Sequence, residues 1–447
     1  MAEPCWVGGS SWIPQKSTIT IALTWATADT ATITINGNDL VVTVGTDATT
    51  ANVATLIKEA INGDTQTGTG DHTILPTFAN SGGQAINEFT EVIATVAASV
   101  VTVTTTDAVN ANKPGKPFTM TEVVVTAGNG TAVVAESQAP TGPHHADNLD
   151  NWSTGAIPTT SDNVVFDGRA LYDCLYGLDF SSVVTTSVKV TNGFIKNLGL
   201  PAINSDSQTK KYEEYRGTYF QIRTSTVDVV GAGSGSQRVK IDAGSATATT
   251  VNVSSNGRKS GGGQEAAIPA FLFKGTNAAN ILRVTKGDVG VAFFDGEAAH
   301  LATLHVGPGQ DAVVQCGDGV DIANAAITQS GGLLTIDAAT GTGTIIQTGG
   351  NITIKSGAHA AITAQDSFVV YESSGTVTTL TARAGGNVTF STDVARTVTN
   401  TVLYADCTMS DLGKTVTPTN GWDLSGCGLE DVTLAVGKHL TITPTAI

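Results

Sequence analysis

Apolar and polar residues alternate over short stretches through most of the chain, and between about residues 301 and 390 the alternation recurs at a fixed interval. Each unit is a pair of glycines followed by a few alternating β-forming residues, which is too short for a helix. Successive glycine pairs stand 18 and then 36 residues apart, so one unit lacks its glycines, and a Val-Val pair supplies its apolar strand. We therefore predict equivalent positions for four apolar side chains: Leu334, Ile352, Val370 and Val388.

A fixed period of this length is typical of stacked supersecondary units, none of which buries its apolar face alone. Turn and strand alternate with almost no helical signal, so the pattern predicts a β-solenoid whose bore is filled by Leu, Ile and Val. Glycine suits the corners because it adopts the positive φ that tight bends require. The pattern leaves one alternative open, which is a β-sandwich whose Gly-Gly turns recur by chance.

Residues 18–138 have a different pattern. Two alternating runs flank Asn36-Gly37, a dipeptide that favours a tight β-hairpin turn. Either Thr49 or Thr50 suits the N-cap of a following helix, and an Asn-Gly pair thirteen residues later suits its end. We predict a small β-rich domain with this single helix packed on its sheet. The expected apolar stripe of the helix is Val53, Leu56, Ile57, Ala60 and Ile61, and further strands are expected near residues 92–96, 100–104 and 119–126.

Residues 139–163 are a proline-punctuated linker, and their end leads into a distinctive run at 151–166: Asn-Trp-Ser-Thr-Gly-Ala-Ile-Pro-Thr-Thr-Ser-Asp-Asn-Val-Val-Phe. The large Trp152 ring is suited to closing the open end of a solenoid bore, which otherwise exposes both core and strand edges. The run resembles the Trp–Gly–Pro–Asp–Val entry of β-helical domains in bacterial surface proteins and phage structural proteins. We therefore interpret 139–163 as linker and cap, and 164–447 as the solenoid domain.

Residues 1–17 form an N-terminal arm in which Trp6 and Trp12 lie among Gly, Ser and Pro. Two tryptophans are costly to leave in water, so each should be covered. The sequence leaves two interpretations open: the arm is a strap across its own domain, or it docks on a neighbouring subunit.

Composition narrows the classes of function. Only 14% of the 447 residues are charged, about half the usual share, and the formal net charge is −16. An acidic chain does not suit nucleic acid or an anionic membrane surface, so neither is an expected partner. The first residues lack the basic start and apolar core of a secretory signal, and the most apolar run, 92–103, is too short to span a bilayer.

The five cysteines are odd in number and include no closely spaced pair of the kind that binds metal. We predict reduced, mostly buried thiols, as in a protein made in a cytoplasm. These cysteines are Cys5, Cys174, Cys316, Cys407 and Cys427.

Histidines give little support for chemistry. His144-His145 with Asp147 and Asp150 offers metal-binding residue types, but proline-flanked surface loops often have this composition, so no metal site is predicted. His300 and His305 are an odd number of residues apart along an extended segment, so they should face opposite sides and not act together.

Paired carboxylates are the remaining catalytic candidates. Asp318 with Asp321, or Asp295 with Glu297, would serve a glycosidase if stacking placed them about 5–10 Å apart. Two of these residues precede glycine, which is typical of turns. The chain contains neither a phosphate-binding loop nor a nucleophile elbow. We predict no catalytic residues, no cofactor and no enzymatic activity.

The hairpin–helix opening, the motif at 151–166 and the Gly-rich β ending resemble uncharacterised virion proteins of tailed bacteriophages. The resemblance implies a structural virion protein assembled in the host cytoplasm, trimeric, with the major capsid protein or other virion subunits as partners. We favour a capsid decoration (cement) protein attached through residues 18–137 and the arm, with its solenoid projecting outward. The alternative is a tail spike or fibre that binds, or even cleaves, host-surface glycan. A bacterial adhesin is disfavoured because no signal peptide is expected.

Overall fold

The computed structural model is dominated by strands, which make up 52% of the structure, while 5% is helical. One α-helix lies in a small N-terminal β region, and a β-solenoid of about 11 turns follows it. The predicted fold class is confirmed, and the β-sandwich alternative for the repeats is wrong. The structure describes residues 2–64, 73–75, 89, 91–105, 116–125, 129–191, 193–200, 203–204, 212–213, 216–232, 238–256, 268–338, 341, 343–427 and 432–436.

The N-terminal module is built from antiparallel strands and one helix. Its elements are β1 (Lys16–Ala22), β2 (Thr30–Ile35), β3 (Asn38–Thr43), α1 (Thr50–Asn62), β4 (Thr73–Leu75), β5 (Val92–Ala97), β6 (Val100–Thr105), β7 (Met120–Val125) and β8 (Thr131–Gln138). They form two four-stranded sheets, ordered β5-β6-β1-β8 and β4-β3-β2-β7. Helix α1 packs on the first sheet, and one apolar cluster joins all three layers.

Local sequence signals fix this module as predicted. Asn36 and Gly37 both have positive φ, 54° and 78°, which is the geometry of the tight turn between β2 and β3. The Thr49 hydroxyl accepts a hydrogen bond from the Asn52 amide at 3.3 Å, so Thr49 is the N-cap of α1. Gly63 ends the helix with a φ of 66°. The buried residues of α1 are Val53, Ala54, Leu56, Ile57, Glu59 and Ile61.

A short 3-10 turn (Leu149–Asn151) precedes the solenoid. The solenoid strands are β9 (Asn163–Phe166), β10 (Asp179–Thr191), β11 (Ile203–Asn204), β12 (Tyr212–Glu213), β13 (Phe220–Ala232), β14 (Val239–Asp242), β15 (Thr250–Asn256), β16 (Phe271–Lys274), β17 (Ile281–Val284), β18 (Gly287–Val291), β19 (Ala299–His300), β20 (Thr303–Val306), β21 (Ala312–Cys316), β22 (Val320–Asp321), β23 (Ala326–Ile336), β24 (Thr344–Ile354), β25 (His359–Ala364), β26 (Phe368–Tyr371), β27 (Val377–Ala382), β28 (Asn387–Phe390), β29 (Arg396–Tyr404), β30 (Cys407–Asp411), β31 (Val416–Pro418), β32 (Trp422–Gly426) and β33 (Val432–Val436). The last predicted solenoid residues, 437–447, lie outside the described residues.

Two long parallel ladders run along the solenoid. Ladder A joins β9, β10, β13, β15, β17, β20, β23, β24, β25, β27, β29 and then β31 and β32. Ladder B joins β14, β16, β18, β21, β23, β24, β26, β28, β30 and β33. The long strands β23 and β24 turn a corner and contribute to both ladders. Parallel β19 and β22 form a third, short ladder.

The predicted register is right at three of four positions. Leu334 pairs with Ile352, 18 residues on, but Ile352 pairs with Val369, 17 residues on, and Val369 pairs with Val388, 19 residues on. Val369 is buried in the bore and Val370 is half-buried on the outside. The prediction for Val370 is wrong because the unit without glycines is one residue shorter, and a one-residue slip turns a strand's side chains to the opposite face.

The corners explain both the glycines and their absence. Gly332 and Gly350 have φ of 71° and 79°, and a Cβ on Gly350 would lie 2.6 Å from the carbonyl carbon of Gly331 in the turn below. In the glycine-free unit Asp366 takes the left-handed conformation instead, with a φ of 47°. Asp tolerates this conformation better than most residues, so the corner is preserved without its Gly pair.

Candidate functional site

An aromatic plug closes the first turn of the solenoid, as predicted for Trp152. Its indole is 2% exposed, and its N–H donates to the Ala146 carbonyl at 2.7 Å. The ring centroid lies 6.0 Å from that of Phe166 and 6.5 Å from that of Phe180. Trp6 packs on the other side, 5.4 Å away and nearly edge-on. Together these rings fill the end of the bore with apolar surface and keep water from it.

The arm reaches this plug by continuing the strand pattern of the solenoid. The Trp6 amide donates to the Val165 carbonyl at 2.9 Å, and the Val165 amide donates to the Pro4 carbonyl at 3.0 Å. The Trp6 indole N–H also donates to the Tyr172 carbonyl at 3.0 Å, and the side chain is fully buried. For Trp6 the strap interpretation is confirmed, and docking on a neighbouring subunit is wrong because its own chain covers it. Trp12 remains 42% exposed.

A polar network joins the module to the start of the solenoid. The Glu91 carboxylate lies 3.0 Å from the Lys116 ammonium and 3.7 Å from the Arg216 guanidinium, and all three side chains are about nine-tenths buried. The Asn36 side-chain amide donates to Glu91 at 3.0 Å, and Arg216 donates to the Pro117 carbonyl at 3.3 Å. Sequence reasoning missed this network because its members are far apart in the chain.

The histidine pair of the linker supports local packing. His144 Nδ1 lies 2.9 Å from the Asp173 carbonyl, and His145 Nδ1 lies 3.5 Å from an Asp147 carboxylate oxygen. Both histidine rings are buried, and each packs against a tyrosine of the following segment, at 5.4 and 5.2 Å between centroids. Asp150 lies in the 3-10 turn, where its amide bonds to Asn148. The pair thus holds the linker against residues 172–177.

The second histidine pair is divided between two ladders. His300 belongs to the short third ladder, and its Nδ1 lies 3.0 Å from the Asp321 carboxylate of the next turn. His305 belongs to ladder A and contacts the Thr328 hydroxyl of the next turn. Desolvation and nearby Arg283 lower the pKa of His305. Each imidazole therefore links successive turns, and the structure does not bring the two together.

The carboxylate candidates are used by turns. Asp295-Gly296 and Asp318-Gly319 both lie in turns, as the alternative interpretation predicted. Asp321 accepts a hydrogen bond from the Ala323 amide at 2.9 Å, which stabilises a local turn.

Glu297 fastens a loop over ladder B. It accepts hydrogen bonds from the Tyr219 hydroxyl at 3.0 Å and from the Phe294 amide at 3.2 Å. Burial, with the nearby Glu297 charge, raises the pKa of Tyr219 far above its usual value, so the phenol stays a hydrogen-bond donor. The ammonium groups of Lys240 and Lys274 lie 5.4 and 4.5 Å from the centre of the Tyr219 ring. This cation–π cluster was missed because residues spaced 20 to 30 apart become neighbours only after the chain coils.

Corner carbonyls of the repeat region are satisfied from inside by two buried glutamines. Gln329 donates to the carbonyls of Gly332 at 3.1 Å and Asn351 at 2.9 Å. Gln347, one turn on, donates to the carbonyls of Gly350 at 3.0 Å and Phe368 at 3.1 Å. Each amide therefore joins its own corner to the next, which is a structural use of a polar side chain in the bore.

All five cysteines are unpaired, and four of them are buried, as predicted. Burial raises the pKa of the Cys316 thiol to about 12, and desolvation also raises that of Cys174. Both thiols are therefore held protonated and are poor nucleophiles. Across the described ranges, no group of three or more His, Cys, Asp or Glu side chains is arranged to hold a metal ion.

An open groove of about 190 Å³ lies on the early turns, and its polar lining combines a cation, an anion and neutral donors. Among the lining residues are Ser181, Gln221, Arg223, Asp242 and Ser245. In the part of the chain that the structure describes, no helix is long and apolar enough to cross a membrane.

His359 makes the solenoid sensitive to acid. Burial lowers the pKa of its imidazole to about 4, below the ordinary value of 6.5. Between these values the unfolded chain takes up a proton that the folded chain refuses, so the free energy of unfolding should fall by about 3 kcal/mol as the pH drops from 6.5 to 4. This contribution is constant above about pH 6.5. Melting temperatures measured from pH 4 to 7.5 should depend less on pH in His359→Gln, and an unchanged slope would contradict this assignment.

No protein-family model matches the chain, and no curated protein matches its sequence. The resemblance to phage proteins therefore rests on the motif at 151–166 and on the order of elements. The fold and the site define a capped β-solenoid protein with an N-terminal antiparallel module.

Proposed function

We propose that this protein is a structural subunit of a tailed-bacteriophage virion, assembled in the host cytoplasm as a homotrimer that decorates the capsid by binding the major capsid protein. The observation that carries the proposal is the built solenoid entrance, where strap, plug and linker are fastened to the first turns. A solenoid closed in this way is a rigid scaffold whose turns each stabilise their neighbours. Such a scaffold suits a part that reinforces or projects from a shell.

The N-terminal module makes the attachment in this proposal, and the solenoid points outward. Exposed apolar side chains on the module support this polarity. Val123, Val125 and Val133 are 61%, 66% and 52% exposed, and Leu23 is 62% exposed. Apolar positions of this kind suit a contact with another protein. Because Trp6 belongs to the plug, only Trp12 remains as an aromatic anchor from the arm.

The test is co-sedimentation of the purified protein with virion heads that lack it. The expected result is saturable binding that Val125→Asp weakens at least about tenfold, because a charge in an apolar contact is desolvated without a partner. Ile346→Asp, an exposed apolar position on the solenoid, is the matched control and should bind normally. Absence of binding by the wild-type chain would overturn the proposal.

The second candidate is a tail spike or fibre that binds host-surface glycan, and the polar groove on the early turns favours it. Arg223 and Asp242 would hydrogen-bond sugar hydroxyls there. Glycan-array binding that is lost in Arg223→Ala, together with labelling of tails instead of heads, would replace the decoration proposal. Release of reducing ends from host polysaccharide, lost in Asp318→Asn or Asp295→Asn, would additionally contradict the prediction that the protein is not an enzyme.

A further inference from the structure

One face of the later turns carries no charged residue. The outward side chains of ladder B form two parallel rows from β21 to β30. The first row is Val313, Leu333, Asn351, Phe368, Asn387 and Thr408, and the second is Gln315, Thr335, Thr353, Val370, Thr389 and Ser410. We call these twelve residues the uncharged face.

Charge is present in these turns but lies elsewhere. Asp337, Lys355 and Glu372 each follow the last residue of a ladder B strand, at a corner. Lys355 lies 4.0 Å from Asp337, so even this ion pair runs along the corner and not across the face. The corners are therefore solvated and charged, while the strand surface between them is not.

The same ladder is treated differently in the early turns, where the chain covers its own outer surface. Lys240 and Leu272 point outward from β14 and β16, yet they are 2% and 0% exposed. The rings of Tyr219 and Phe294 lie 5.4 and 5.3 Å from the Lys240 ammonium and form part of this cover. On the later turns, Leu333 is 46% exposed and Phe368 is 57% exposed.

We propose that a second copy of this chain packs on the uncharged face, which deepens the homotrimer of the proposed function and rests on it in that respect. The charge of the molecule argues for this occupant. At a net charge of −16, two copies repel each other, and like charges brought together in a contact are costly. A surface of twelve uncharged positions lets identical chains approach without that cost.

Symmetry makes the match self-consistent. Three copies about a three-fold axis present the same face to that axis, so each copy must tolerate its own surface as a partner. Thr, Asn, Val, Leu and Phe meet this condition, since none repels an identical residue. Leu333 and Phe368 flank Asn351 in the first row, so they lie about 10 Å apart along the solenoid. They form a pair of apolar contacts with an amide between them.

The test compares two exposed positions on different ladders of the full-length protein. Phe368→Asp adds a charge to the uncharged face, and Ile346→Asp adds one to the outer surface of ladder A, where Ile346 is 43% exposed. Light scattering coupled to size exclusion should give a trimer for the wild type and Ile346→Asp. Phe368→Asp should raise the concentration at which half of the chains are trimeric by at least about tenfold.

Asn351→Asp provides a nearly isosteric second variant, since it changes charge with little change of shape at an exposed site. It should weaken association in the same way while its circular dichroism matches the wild type. A monomeric wild type, an unaffected Phe368→Asp and Asn351→Asp, or equal loss of association in Ile346→Asp would each overturn the inference. Head binding by a monomeric wild type would leave the decoration function standing, whereas a trimer that binds no heads would refute that function alone.

Discussion

Val369→Asp is expected to destabilise the solenoid by about 4 kcal/mol or more, while the same change at the next residue, Val370→Asp, should cost less than about 1 kcal/mol. Val369 lies in the bore between Ile352 and Val388 and is 1% exposed. A carboxylate there has no cation or water to solvate it. Val370 faces outward, so its carboxylate would remain hydrated.

Thermal and urea unfolding of both variants, at a concentration where the chain is monomeric, checks this prediction. Ile352→Asp, one turn earlier, should behave like Val369→Asp. If Val370→Asp were the damaging variant and Val369→Asp the tolerated one, the strict 18-residue register would be right and the paired strands wrong.

Trp6→Ala should cost about 3–5 kcal/mol, the usual range for truncating a fully buried aromatic side chain. The loss combines the apolar contact with Trp152 and the hydrogen bond to Tyr172. It also opens the bore and the edge of β9 to solvent, so the variant should aggregate more readily on heating. Unfolding midpoints in urea give the size of the effect.

Trp12→Ala is the matched control, because it removes the same side chain from a half-exposed position of the same arm. Its midpoint should stay within about 1 kcal/mol of the wild type. Equal effects of the two replacements would mean that Trp6 does not belong to the plug. Deletion of residues 1–14 should then be read as loss of the plug, and not only as loss of a docking arm.

Much of the fold could be predicted because its signals are local. The Asn36-Gly37 turn, the Thr49 cap and the glycine corners each require particular residues at particular dihedral angles. The recurrence of these corners was enough to identify a solenoid. The entry tryptophan was identifiable as well, because a solenoid end needs a large apolar cover.

What escaped prediction depends on which residues meet after the chain coils. The register at Val369 depends on one residue missing from a corner, and Asp366 carries no signal of that deletion. The strap, the Glu91 network and the Tyr219 cluster each join segments that are far apart in sequence. The uncharged face is likewise hidden, since its two rows are assembled from residues of six separate strands.

Electron microscopy of virions labelled with gold-tagged antibody against this protein tests the central claim most directly. The account predicts regular labelling over the head, with the antibody epitope on the solenoid reached from outside, and no labelling of particles made without the gene. Gold confined to the tail, or virions in which the protein is not found, would contradict it.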